Sequence, residues 1–212
     1  MSNRKRRRRV LRRRRTRRIL LIAAIVVLVL GIAGLVVWLA LERTPEITIQ
    51  SYPVEYEGII RDYAAQNSIP PAYVASVILA ESSYQPDAVS SADAQGLMQI
   101  LPSTAEWIAG KLGETYVEGC LFDPETNVRY GCWYLGFLMN RYAGDMRCAS
   151  SAYHAGQGTV DKWLANPDYS PDGATLSTIP YQSTDTYVQR VLKYYDKYDE
   201  IYAEDEADTQ AG

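Results

Sequence analysis

The chain has 212 residues, room for one domain with appendages, and its formal net charge of −3 conceals a strong segregation. Residues 1–18 carry 12 of the 22 Lys+Arg and no acid, so the remainder holds 10 basic and 25 acidic side chains. That acidic remainder argues against a nucleic-acid-binding body, and a single His with three scattered Cys argues against a zinc site.

Directly after the basic run, Ile19 to Leu41 forms 23 residues without a charge, broken only by Gly31 and Gly34. Roughly 20 apolar residues in a helix span a bilayer core, so residues 19–41 are expected to form a transmembrane helix. The basic run would then be a cytoplasmic tail over residues 1–18, with everything after about Arg43 outside the cell membrane. The competing reading is a cleaved signal peptide, whose apolar region is usually ~7 to 15 residues and ends in a small-residue site. Val36-Val37-Trp38-Leu39-Ala40-Leu41 offers no such site. An Arg-rich run placed here orients the helix and meets anionic head groups, which accounts for it without nucleic acid.

Residues 42–52, with Pro45, read as a linker. The spacing of apolar residues then predicts helices at about 54–67, 71–83, 103–112, 125–143, 146–155, 158–165 and 185–203, with no alternating strand pattern between them. Asp123-Pro124-Glu125 supplies a side-chain acceptor, a proline and an acid at a helix start. Pro102-Ser103-Thr104 offers hydroxyls at another. Long connections at 84–101 and 166–184 mark functional or disordered segments, and the first ends in the apolar Leu97-Met98-Gln99-Ile100-Leu101, as a cleft wall would. After Tyr202 the chain is acidic and almost without apolar residues, so residues 203–212 are expected to be disordered. The fold class is therefore mainly α, a helical domain over residues 53–202. Cys120, Cys132 and Cys148 allow one disulfide at most, or serve as buried thiols.

In the second of these helices Val74, Val77, Ile78 and Glu81 fall on one face, so Glu81 continues a buried stripe. A carboxyl there is desolvated and its pKa raised, as a general acid near neutrality requires. Periodicity alone favours a helix-end carboxyl that accepts hydrogen bonds from a loop. The nearest acids in sequence, Asp87 and Asp93, read as turn residues.

Four ordered segments decide between these readings. Glu81-Ser82-Ser83-Tyr84-Gln85-Pro86-Asp87-Ala88-Val89-Ser90, Gln95-Gly96-Leu97-Met98-Gln99-Ile100-Leu101-Pro102-Ser103-Thr104-Ala105, Ala152-Tyr153-His154-Ala155-Gly156 and Ile179-Pro180-Tyr181-Gln182-Ser183-Thr184 with Tyr187-Val188 resemble the signature segments of the soluble-lytic-transglycosylase family. The resemblance covers roughly residues 55–200. It implies a goose-lysozyme-like helical domain with a glycan-binding cleft, acting on bacterial peptidoglycan. It further implies cleavage of the β-1,4 bond between N-acetylmuramic acid and N-acetylglucosamine with a 1,6-anhydro product, Glu81 serving as the single acid and base without metal or cofactor.

Other motif positions take tasks consistent with that chemistry. Ser82 can hydrogen-bond Glu81 or the substrate, Gln99 suits an acetamido group, and Met98 can line a cleft. Tyr153 can hold the carboxyl, and Gly96 and Gly156 fit sharp turns or close approach to sugar. An excess of 17 Tyr over 2 Phe suits a wet cleft that stacks sugars. Three positions depart from the family's pattern: Asp93 stands for a frequent Gly, His154 for Asn, and Ser183 for Glu. His154 and Ser183 give weight to a catalytically weak glycan-binding scaffold, and a muramidase that admits water would use the same acid.

Overall fold

The computed structural model describes residues 52–211, which form their own compact unit; the expected basic tail, membrane helix and most of the linker lie outside these residues. Seven α-helices are found among the described residues: α1 Glu57–Gln66, α2 Pro71–Ser82, α3 Pro102–Leu112, α4 Pro124–Arg141, α5 Met146–Ala155, α6 Gln157–Leu164 and α7 Gln182–Ala211. None of them is long and apolar enough to cross a membrane. Extended pairing is limited to two isolated antiparallel bridges, Val89 with Gln95 and Gln95 with Ile100.

Local chemistry sets the helix starts. Proline occupies the first turn of α2, α3 and α4, where its missing N–H costs nothing. Asp123 caps α4, accepting from the Thr126 backbone N–H at 2.9 Å and its hydroxyl at 2.7 Å. Asp145 caps α5 through the Cys148 N–H at 2.7 Å. The hydroxyls expected to cap α3 do not: Leu101 holds the cap position, and Pro102 alone sets the entry.

Helix α2 is the centre of the domain. Ala72 to Leu79 and Ser82 are all buried, so it is apolar on every side and covered on every side. It packs most extensively on α7 and also on α1, while α5 lies against α4, α6 and α7. Fully buried Tyr73 and Ser150 share a hydrogen bond of 2.9 Å that ties α2 to α5. Cys132 and Cys148 are buried free thiols and Cys120 is a half-buried one, so the residues that allowed a disulfide act as small core groups.

The long α7 overturns the expected disorder of residues 203–212, because its helix runs to Ala211. Ala203, Glu204 and Ala207 are good helix formers, and Asp205 forms an ion pair of 2.7 Å with Arg61 on α1. Packing and local propensity therefore carry the helix past its last apolar residue.

The connection between α2 and α3 is held by one side chain. Asn127 in α4 is fully buried; its Oδ1 accepts from the Met98 N–H at 2.8 Å, and its Nδ2 donates to the carbonyls of Gln95 at 2.9 Å and Leu121 at 2.8 Å. Gly96 has φ 74°, and a Cβ there would collide with the Asn127 amide and the Leu121 carbonyl. Replacing Asn127 with Ala would orphan the Met98 N–H and the Leu121 carbonyl, each worth about 1–3 kcal/mol when left unpaired in a dry interior, while the Gln95 carbonyl keeps the Ile100 N–H at 3.1 Å. Asn127→Ala is expected to lower stability by roughly 3 kcal/mol or more, read as a drop in Tm on the order of 10 °C. A melting curve within a degree or two of the parent would show that water replaces the amide.

Candidate active site

Glu81 sits in the last turn of α2, and the chain reverses immediately beyond it. Ser83 (φ 53°) and Tyr84 (φ 64°) are consecutive non-glycine residues in the left-handed region, which costs energy and recurs at functional sites. Burial is the leading influence on the carboxyl and pushes its pKa up from 4.5 to about 7. The Tyr187 hydroxyl and the positive charge of Arg190, both from α7, pull it back down. Tyr187 is buried, and although its hydroxyl stands beside Glu81, no hydrogen bond of good geometry closes between them. Glu81 is thus its near neighbour without being a partner of full hydrogen-bond geometry.

His154 lies over Tyr187, ring centroids 4.7 Å apart, and its Nδ1 is 3.1 Å from the hydroxyl of buried Thr184. Partial burial, then the charge of Arg190, hold its pKa below the usual value. The site thus joins the end of α2 to α5 and the first turns of α7. Among the influences that shift Glu81 there is no second carboxylate. Asp87 and Asp93 are both exposed on the loop. Asp93 has φ 63°, which explains a glycine-like position that an Asp tolerates. Ser183 is exposed and brings no charge.

Several expected site residues spend their polar groups elsewhere. The Ser82 hydroxyl donates to the Ile78 carbonyl at 3.3 Å within its own helix. The Tyr153 hydroxyl donates to the Met98 carbonyl at 2.7 Å rather than to Glu81, although Glu81 lies near enough to raise its pKa. Met98 is fully buried with its thioether on Gly131, so it is a core residue and does not line a cleft as expected. Gly96 serves the approach of Asn127. Gln99, at φ 48°, donates through Nε2 to the carbonyls of Ala88 and Gly96, both at 3.0 Å, and bends the loop over itself. Two residues absent from the expected site matter more: Tyr187, visible only as part of the closing motif, and Asn127, whose burial no sequence pattern announces.

Gln99, Thr104, Tyr134 and Tyr153 line a cavity of about 60 Å³. It shares Thr104 and Tyr134 with an adjoining groove of about 240 Å³ that also involves Ser103, Trp107 and Gln157. A larger depression of about 580 Å³ lies against Asp161, Pro167 and Asp172, and none of its lining residues belongs to the surroundings of Glu81.

The family model described as the Transglycosylase SLT domain matches residues 58–174, more than half of the chain. The chain belongs to this family. The chain is 33% identical over 148 residues to the soluble lytic murein transglycosylase of Escherichia coli K12, covering 68% of this chain and 23% of that protein. It is 35% identical over 117 residues to the membrane-bound lytic murein transglycosylase C of Yersinia pestis, covering 50% and 32% respectively. The 70 kDa soluble lytic transglycosylase of Escherichia coli superposes with a TM-score of 0.65 at 30% identity, covering 71% of this chain and 25% of that one. An inactive mutant of the Pseudomonas aeruginosa enzyme Slt superposes with a TM-score of 0.64 at 28% identity, covering 72% and 25%. The fold is thus the lysozyme-like helical SLT fold, and the chain spans about a quarter to a third of the length of these relatives.

A carboxyl that holds its proton more tightly folded (about 7) than in its ordinary state (4.5) costs stability progressively as pH rises between those values. Glu81→Gln is therefore expected to melt with the parent near pH 4 and several degrees above it at pH 8, a gap on the order of 3 kcal/mol at most. Equal melting at both pH values would mean that the carboxyl is hydrated.

Proposed function

We propose that this SLT domain is a lytic transglycosylase that cuts the β-1,4 bond between N-acetylmuramic acid and N-acetylglucosamine in peptidoglycan, with Glu81 as its only acid and base. The observation that carries the reading is a lone carboxyl raised to about 7, without a companion acid and beside Tyr153, which lines a cavity. Hydrolases of the two-carboxylate type need a second acid to attack or to activate water. A sugar that supplies its own nucleophile needs one carboxyl only.

Protonated Glu81 donates to the glycosidic oxygen, and the N-acetylglucosamine leaves as an alcohol. The carboxylate so formed then takes the proton of the muramoyl C6 hydroxyl as that oxygen bonds to C1, which closes the 1,6-anhydro ring and restores the acid. No water enters the product. The Tyr187 hydroxyl stands where it can donate to the transient carboxylate, and Arg190 favours its charge. Gln99 and Tyr153 border the cavity that takes the sugar, while Ser82, Met98 and Gly96 support the site from inside the fold. His154 orders Tyr187 from the solvent side. The reading places the chain at the outer face of the cell membrane, anchored by residues 19–41.

The general acid must carry its proton, so kcat/KM is expected to fall above about pH 7 with the titration of Glu81. Digestion of purified peptidoglycan by the full chain, with products identified by mass, should yield anhydromuramoyl ends, and Glu81→Gln should reduce them at least ~100-fold. Reducing muramic acid ends would assign a muramidase. Binding without release by the folded parent would assign a scaffold. Undiminished activity in Glu81→Gln would remove Glu81 from the chemistry.

A further inference from the structure

The chain leaves α2 through a turn that is costly to hold. Ser83 and Tyr84 follow one another in the left-handed region, and the Gln85 N–H donates to the Ser82 carbonyl at 3.2 Å across them. A strained backbone of this kind persists only where its surroundings over-determine it. What grips Tyr84 therefore also decides where Glu81, three residues earlier, is held.

The grip comes from the second half of α7 and from the strap that enters the domain. The Tyr84 ring is buried 6.4 Å from that of fully buried Tyr198 between centroids, with the two hydroxyls as neighbours. The Tyr198 hydroxyl donates to the Pro53 carbonyl at 2.8 Å. Tyr52 meets the Tyr198 ring edge-on at 5.7 Å, and Tyr202 lies 6.3 Å away one turn further along α7. Arg61 of α1 covers the Tyr202 ring at 4.5 Å from its centroid. Edge-on rings attract one another, and a carbonyl that loses its buried donor is left with the full cost of its desolvation, so strap, α7 and turn are held as one clasp. Neither Tyr84 nor Tyr198 lines the cavity beside Tyr153 or the groove that adjoins it. Their influence on Glu81 is one of placement.

We infer that Tyr84 and Tyr198 are positioning residues for Glu81: Tyr198, clamped to Pro53 by its hydroxyl and to Tyr52 by its ring, fixes Tyr84 and with it the turn that keeps the carboxyl at the dry end of α2. Opening the clamp lets the turn relax and water reach the carboxyl. The pKa of Glu81 then falls towards its ordinary value, because burial is the influence that raises it. The consequence for turnover rests on the reading of Glu81 as the transglycosylase acid, whereas the consequence for its proton does not.

The full chain carrying Tyr198→Phe keeps the ring and loses the hydroxyl alone. Its Glu81 δ-carboxyl midpoint, followed by NMR, is expected to fall by roughly one pH unit, and kcat for release of anhydromuramoyl ends by about tenfold with KM changed less than about twofold. Tyr52→Ala loosens the same clamp from its half-buried edge and should move both quantities in the same direction, which keeps the test decisive if Tyr198→Phe unfolds. Tyr130→Phe controls for stability alone, since it removes a hydroxyl bonded to Glu114 at 3.2 Å outside the clasp. It should leave the midpoint and kcat in place. A midpoint and kcat unmoved by both Tyr198→Phe and Tyr52→Ala, or moved as far by Tyr130→Phe, would overturn the positioning role. A lowered midpoint in a chain whose parent releases no anhydro product keeps that role and removes the transglycosylase reading. Anhydro product from the parent with midpoint and kcat unmoved by the clasp variants does the reverse.

Discussion

The carboxyl of Glu81 has to be kept at the end of a helix that is apolar on every side. A carboxylate stripped of water is expensive, and the domain meets the expense by letting the group keep its proton to about pH 7. Everything near it moderates that state without cancelling it. A full ion pair would ionise the acid, whereas Arg190 acts from the exposed side of α7 and Tyr187 offers a neutral hydroxyl not yet engaged. Stability is given up for a proton available at neutral pH, the usual trade at a site that must react. The two left-handed residues after Glu81 belong to the same compromise, since they turn the chain away at once and leave the carboxyl at the helix end.

Placing one acid is useful only if a wall faces it, and the wall is the loop between α2 and α3. That loop has almost no regular structure, so its backbone groups need side-chain partners. Asn127 supplies two, for Met98 and Gln95, the loop's own Gln99 supplies two more, and the Tyr153 hydroxyl takes the carbonyl of Met98. Motif residues that look as if they should touch sugar thus hold the loop's backbone. The rigidity they impose extends outward through Tyr134 to the braced indole of Trp107.

Much of this was legible from the sequence, for identifiable reasons. Helices α2, α4, α5 and α6 lie within two residues of their expected ends because proline, Asp caps and Gly156 punctuate the chain where the apolar period stops. Glu81 is legible as a buried carboxyl from its spacing, and the four motifs mark it as the candidate acid. Its partner was not: Tyr187 reaches Glu81 only because α7 packs along α2, a contact between residues 106 positions apart that no local pattern encodes. Ser82, Met98 and Tyr153 were placed in the right neighbourhood with the wrong partners, since adjacency in a motif says nothing of which way a hydroxyl points. The tail misled because its acidity describes solvation, while Arg61 and helix propensity decide its conformation.

The state of the Glu81 proton is the central claim, and it can be read directly. Carbon-13 labelling of glutamate side chains, with Glu81 assigned by its absence from Glu81→Gln, allows its δ-carboxyl shift to be followed by NMR from pH 3 to pH 9. A midpoint near 7 is predicted, well separated from the exposed glutamates. A midpoint near 4.5 would contradict it, because the carboxyl would then be ionised at neutral pH and unable to protonate a leaving sugar.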